Sequence, residues 1–201
     1  MLCVILGAKK QDGRFGETMA AMLTANFGLW TMRQGRLWPG AFPPELLLTD
    51  WDSLGAVPAG PVVLVAKDDE GLPPQSCLAH IPQAVAIVSP CSQKVMCHMA
   101  ATGLPAITCG FSSRDTITLS SMPSAESASG VISLQRAVTR FDGSLAEPQE
   151  WLVRFPPCSD QFTSTFAAMA AAAVCLMAGR PFAAPASCSG WPPGTCRKKL
   201  L

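Results

Sequence analysis

The sequence predicts an α/β domain: a mostly parallel sheet flanked by helices, followed by a C-terminal β-hairpin and an Ala-rich helix. Three observations point there. Residues 84–122 read as strand, helix, strand, with a further strand after the loop at 110–114. The N-terminus reads as a buried-strand run LCVIL, then a Gly-punctuated polar loop, then a helical segment. The strand candidates are also continuously apolar instead of alternating, as strands covered on both faces are.

Composition sets the bounds. A chain of 201 residues suits one domain with a tail, here residues 1–182 and a Pro-rich tail 183–201 expected to be disordered. Hydrophobic residues make up 49% and charged residues 14%, enough for a large core. The formal net charge is +1, and basic residues cluster only at Arg197, Lys198 and Lys199, so nothing points to nucleic acid. The nine cysteines are odd in number, lack a CxxC pair and lie in apolar segments. That pattern predicts reduced, metal-free thiols and a cytoplasmic protein. No signal peptide is evident at 1–7. Residues 166–178 are Ala-rich but shorter than the roughly 20 residues of a membrane span, so a buried helix is expected and no membrane association.

In chain order, residues 2–6 are the first strand and 7–16 (GAKKQDGRFG) the loop. A helix is expected over 17–27, with Met19, Met22, Leu23 and Phe27 on its apolar side. Residues 30–44 carry Gly35, Pro39, Gly40, Pro43 and Pro44 and read as irregular. Strands follow at 45–49 (ELLLT) and 61–66 (PVVLVA), joined to the next by a connection at 72–83 with one short helix. Residues 84–88 are a strand. Ser92 opens a helix in which Val95, Met96, Met99 and Ala100 recur at helical spacing, and Gly103 and Pro105 end it. Strands at 105–109 and 117–119 come next, then a small polar loop at 124–130. A strand over 131–140, a type I′ turn at Asp142-Gly143 and a return strand at 150–155 would form the hairpin, with Trp151, Val153 and Phe155 on one face. The helix at 161–178 is capped by Ser159 or Asp160 and stopped by Gly179 and Pro181. No internal repeat is present.

Candidate chemistry gathers at strand ends. A strand, a Gly-rich loop and a helix can cradle phosphate, because glycine lets backbone N–H groups approach and the helix start adds partial positive charge. The nucleotide-binding candidates are therefore Gly7, Lys9, Lys10, Gly13, Gly16 and Thr18. The loop departs from the Gly-x4-Gly-Lys-Ser/Thr motif. Gly7 and Gly13 are one residue too far apart and are followed by Arg14-Phe15, while Gly16-Glu17-Thr18 is a nearer echo with Glu in the Lys position. Asp50 and Asp52, at a strand's carboxyl edge, are candidate magnesium ligands, and Lys67, Asp68 and Asp69 follow a second such edge. Cys91, Cys97 and His98 do not have the paired spacing of a zinc site. No nucleophile elbow and no dinucleotide fingerprint is present.

With the hairpin and the final helix in place, the layout resembles the central, ATP-binding domain of the Mur ligases and the similar folylpolyglutamate synthetases, covering about half the chain well and the first 70 residues only in outline. Residues 84–89 correspond to the family's strand ending in Asn and Asp, and residues 106–110 to its strand ending in Gly. Asp115 corresponds to the acidic residue, 131–155 to the hairpin, and 166–179 (FAAMAAAAVCLMAG) to the Ala-rich helix. The resemblance implies ATP and magnesium as cofactors, and chemistry in which a carboxylate is phosphorylated and an amine attacks the acyl phosphate. Three departures bear on that. Ser89 and nearby Cys91 stand for the Asn and Asp. Asp160, Gln161 and Ser164 stand for a His-Asn-x-x-Asn segment. Gly16-Glu17-Thr18 stands for Gly-Lys-Thr. A chain of this length is also expected to be too short for the family's two flanking domains. The expectation is a degenerate Mur-ligase-like domain without ligase activity of its own, a weak ligand-binding or protein-interaction module with an unknown protein partner. The alternative is an ATP-dependent amide-bond ligase acting with partner domains.

Overall fold

The apolar run at the N-terminus forms β1 (Leu2–Gly7), buried along its whole length. In the computed structural model, which describes residues 1–7, 13–56, 59–78, 80–121, 129–155 and 161–183, this strand lies inside a ten-stranded sheet. It pairs in parallel with β4 (Leu46–Asp50) on one side and β5 (Val62–Ala66) on the other. Beyond β4 lies β2 (Leu29–Arg33); beyond β5 lie β6 (Ala84–Val88) and β7 (Ala106–Gly110), all parallel. β8 (Ile117–Ser121) is parallel to β7 but overlaps it only at Cys109↔Ile117 and Gly110↔Thr118. It begins where β7 ends, so no crossover helix is needed between them. Antiparallel strands complete both margins: β9 (Ser129–Leu134) and β12 (Glu150–Arg154) at one, β3 (Arg36–Trp38) at the other. The order is β12-β9-β8-β7-β6-β5-β1-β4-β2-β3, and the expected mostly parallel α/β fold is what the chain adopts.

Continuous apolar strands need cover on both faces, and the two faces have separate cores. Val4, Leu6, Val63, Val65 and Ile87 face α1 (Gly13–Thr24) and α4 (Gln161–Met177). Their alternate neighbours Ile5, Leu64, Ala66, Ala86 and Val88 face α2 (Gln75–Leu78) and α3 (Gln93–Thr102). α3 starts where expected: Ser92 caps it by accepting from the Val95 N–H, and Gly103 closes it in the left-handed conformation at φ 68°. Each fully buried Leu, Ile, Val or Phe adds roughly 1.5–3 kcal/mol of burial free energy, so these two cores are the main source of stability.

α4 is buried on all sides. From Thr163 to Met177 no residue is more than 3% exposed. The sheet lies under it and α1 beside it. The small hairpin of β10 (Val138–Thr139) and β11 (Leu145–Ala146) contributes Val138, Phe141 and Ala146 to the same core. A helix enclosed this way must be apolar all round, and its alanines let neighbouring backbones come close. It ends at Gly179 (φ 66°), where the Arg180 N–H donates to the Cys175 carbonyl. The chain then returns to the opposite end of α1. Arg180 pairs with Glu45 through both guanidinium nitrogens and lies over the Phe27 ring, while Ala183 and Asn26 exchange hydrogen bonds.

Four expectations are corrected. Residues 30–44 are irregular only from Pro39 on: before it, β2 and β3 form a hairpin whose two-residue turn, Gln34-Gly35, has positive φ at both positions, the signature of a type I′ turn. The helix expected at 17–27 starts at Gly13 and stops at Thr24. Phe15 supplies the reason, since its fully buried ring extends the apolar face one turn toward the N-terminus. The strand expected over 131–140 stops at Leu134, and β12 pairs directly with β9, so Asp142-Gly143 joins only the small β10–β11 hairpin. Its turn is not type I′: only Gly143 has positive φ, and the Asp142 carboxylate instead accepts from the Ser144 N–H and hydroxyl. That hydrogen bonding holds the Asp142 carboxyl below its usual range. The tail beyond Ala183 and the capping residues Ser159 and Asp160 lie outside the described residues.

Candidate functional site

The strand order creates one place where a ligand of an open α/β sheet belongs. The chain leaves β1 toward β2 on one side and leaves β5 toward β6 on the other. The carboxyl ends of β1 and β5 therefore flank a topological switch point. Gly7 and Ala66 sit side by side there, and the next residue, Lys67, donates its backbone N–H to the Gly7 carbonyl at 3.1 Å. The Lys67 side chain crosses to the α1–α4 face. Its Nζ donates to the Thr163 hydroxyl at 2.7 Å and lies 5.8 Å from the centre of the Phe15 ring. Phe15 in turn stacks on Phe166, with ring centres 5.8 Å apart. A cation, a hydroxyl at the start of α4 and the first turn of α1 thus converge beside the switch point.

The phosphate-loop candidates are divided by this geometry. Gly7 ends β1 and Gly13 begins α1, whereas Lys9 and Lys10 lie outside the described residues. Gly16 and Thr18 are inside α1, and the Thr18 hydroxyl donates to the Arg14 carbonyl at 2.8 Å, a bond within the helix. A Cβ at Gly16 would meet the Arg33 guanidinium at 2.8 Å, the movable end of a long side chain. Glu17 accordingly sits in the helix interior. The pair at the helix start, where the motif has Lys and Ser/Thr, is Arg14-Phe15.

The acidic candidates have structural partners. Asp50 closes a turn of 3-10 helix, Trp51–Ser53: one carboxylate oxygen accepts from the Ser53 N–H (2.9 Å) and hydroxyl (2.8 Å). The other accepts from the Gln34 N–H at 3.4 Å. Asp52 is exposed on that turn. Among the described residues no group of three or more His, Cys, Asp or Glu is placed to hold a metal ion.

On the far side of the switch point, Ser89 is buried at the end of β6 and its N–H donates to the Ala66 carbonyl. Asp115 is buried against Gly110, where a Cβ would collide with its carboxylate, and it accepts from the Ser112 N–H at 3.0 Å. Phe111 and Phe162 form a half-exposed pair at the same edge, with centres 5.9 Å apart. Ser164, of the segment matched to His-Asn-x-x-Asn, is buried in α4. Cys91 and Cys97 are exposed, and His98 turns its Nε2 to the Pro73 carbonyl. Burial pushes the Cys3 and Cys175 thiols up to about 12, and Cys109 higher still, so these three stay protonated at neutral pH.

Sequence reasoning placed Lys67 at a carboxyl edge but could not select it. Its partner Thr163 is 96 residues away, and only the sheet order brings them together. The Phe15–Phe166 stack carried a signal, a large apolar residue next to Arg14 at the start of an amphipathic run.

Comparison with known proteins places this geometry in context. No protein-family model and no curated protein matches the chain. Solved structures do. It is similar to a UDP-N-acetylmuramoyl-L-alanyl-D-glutamate--2,6-diaminopimelate ligase (9% identity, TM-score 0.55, covering 90% of this chain and 44% of the ligase). It is similar also to MurF from Acinetobacter baumannii (13% identity, TM-score 0.51, covering 89% and 42%). A third is the UDP-N-acetylmuramate:L-alanyl-gamma-D-glutamyl-meso-diaminopimelate ligase from Neisseria meningitides (11% identity, TM-score 0.52, covering 89% and 61%). The chain spans less than two thirds of the length of each of these three ligases. At these identities the likeness concerns the fold, and the fold is Mur-ligase-like.

Proposed function

We propose that this chain is a degenerate Mur-ligase-like domain that lacks ligase activity of its own and binds a small anionic ligand weakly at the switch point. The observation that carries this reading is at the start of α1. A working phosphate loop puts a Lys there for the phosphates and a Ser/Thr hydroxyl for magnesium. Here Arg14 and Phe15 hold those positions, and the Phe15 ring is fully buried against Phe166. Arg14 keeps a positive charge; Phe15 offers magnesium nothing. The Asp50 carboxylate, engaged by the Ser53 and Gln34 groups, does not replace the missing ligand. Among the described residues this set of side chains does not fit a magnesium ion.

Anion binding can survive that loss. Backbone N–H groups at a helix start, an Arg and a Lys attract phosphate or carboxylate without a metal. Calorimetric titration with ATP, ADP and inorganic phosphate, with and without magnesium, tests the reading. Weak binding that Lys67→Ala and Arg14→Ala each reduce supports it; binding indifferent to both substitutions counts against it. The alternative, an ATP-dependent amide-bond ligase acting with partner domains, is favoured by the retained cation Lys67 at the switch point. That alternative requires tight, magnesium-dependent ATP binding.

A further inference from the structure

Among the described residues the outer edge of β12 is unpaired, and its sequence is complementary to itself. β12 ends the sheet order, and among the described residues only β9 pairs with it. The Leu134 N–H donates to the Gln149 carbonyl, which makes 149↔134 a hydrogen-bonded pair of the antiparallel ladder. By alternation Trp151 and Val153 also spend their backbone groups on β9. The N–H and C=O groups of Glu150, Leu152 and Arg154 therefore point outward. The side chains of these three residues are exposed, and Leu152 is 73% exposed. An edge of this kind is a template for another strand.

We propose that this edge pairs antiparallel with the same strand of a second copy, about a two-fold axis at Leu152. In that register Leu152 faces Leu152 of the second copy, and Glu150 faces Arg154 twice over. All three positions are those with outward backbone groups, so each is a hydrogen-bonded pair exchanging two bonds, about six in all. The charge arrangement selects the occupant. Two like charges at positions 150 and 154 would repel a second copy in this register, as protected edges do. One of each sign makes two attractive cross-strand pairs, with a leucine contact between them. The opposite margin of the sheet is less suited: β3 is three residues long and runs directly into Pro39.

The test is sedimentation velocity on the full chain in reductant, which keeps Cys91 and Cys97 from cross-linking, over about 10 μM to about 1 mM. The native chain should pass from monomer to dimer across this range. Glu150→Arg, which sets Arg against Arg twice, should weaken the dimer about tenfold or more. Combining Glu150→Arg with Arg154→Glu should restore it. Both variants are exposed, and circular dichroism checks that each is folded. A native chain monomeric throughout, a dimer unmoved by Glu150→Arg, or no recovery in the double variant would each overturn the proposal.

Discussion

Phe15 shows how one residue can decide what a site does. In the proposed reading it holds the place of a metal-binding hydroxyl; its ring stacks on Phe166 and lies under the Lys67 ammonium. The same contrast between packing and chemistry divides the cysteines. Cys3, Cys109 and Cys175 are buried and their thiols are held protonated, whereas Cys91 and Cys97 are exposed. Under native conditions, iodoacetamide should label Cys91 and Cys97 quickly and the three buried thiols only at the rate of unfolding. Mass spectrometry of the peptides reads this directly, and fast labelling of Cys109 would contradict the packing. A second residue-scale prediction concerns Glu45. Its carboxyl is held below the usual range by the Gly28 N–H first and by Arg180 next. A carboxyl with a lowered folded pKa contributes stability above its unfolded value, near pH 4.3, and loses it as pH falls through the folded value. Glu45→Gln should therefore melt below the native chain at pH 7, and the gap should close on acidification. A gap independent of pH would show that the carboxylate charge is not what holds Arg180.

The elements differ in how openly the sequence declares them. Strands β1, β5 and β6 are unbroken apolar runs, and α3 carries its cap and stop in Ser92 and Gly103, so their places could be read directly. The β2–β3 hairpin could not, because its prolines and glycines resemble a loop and its turn residue Gln34 is not one that favours positive φ. Gln34 at φ 50° is held there by the pairing on either side. Replacing it with Asn, which tolerates that conformation better, should stabilise the protein by up to about 1 kcal/mol, measured by denaturant unfolding; a loss of stability would show that the Gln34 side chain itself holds the turn. α4 makes the opposite demand, for small residues. Ala171 is fully buried, and Ala171→Leu should cost roughly 1–3 kcal/mol through overpacking. The same substitution at Ala168 or Ala172 should cost similarly. No loss at any of the three would contradict the enclosure of the helix.

At the scale of the molecule, the sequence revealed the class of fold but not the strand order, because pairing partners are set by tertiary contacts between distant segments. The candidate site suffered most from this. Gly7 and Gly13 could be named from their loop, but Lys67 and Thr163 meet only once β5 is set beside β1 and α4 is laid across the end of the sheet. The helix start moved as well, from Glu17 to Gly13, and with it the identity of the residues that stand in for the phosphate motif. The proposed reading gives this Mur-ligase-like fold an anion-attracting edge without the magnesium chemistry of a ligase. The most direct measurement is the dissociation constant for ATP on the native chain, with and without magnesium, by calorimetry. The account predicts weak binding of about millimolar strength, within a few-fold in the two conditions. Micromolar binding that appears only with magnesium would contradict it.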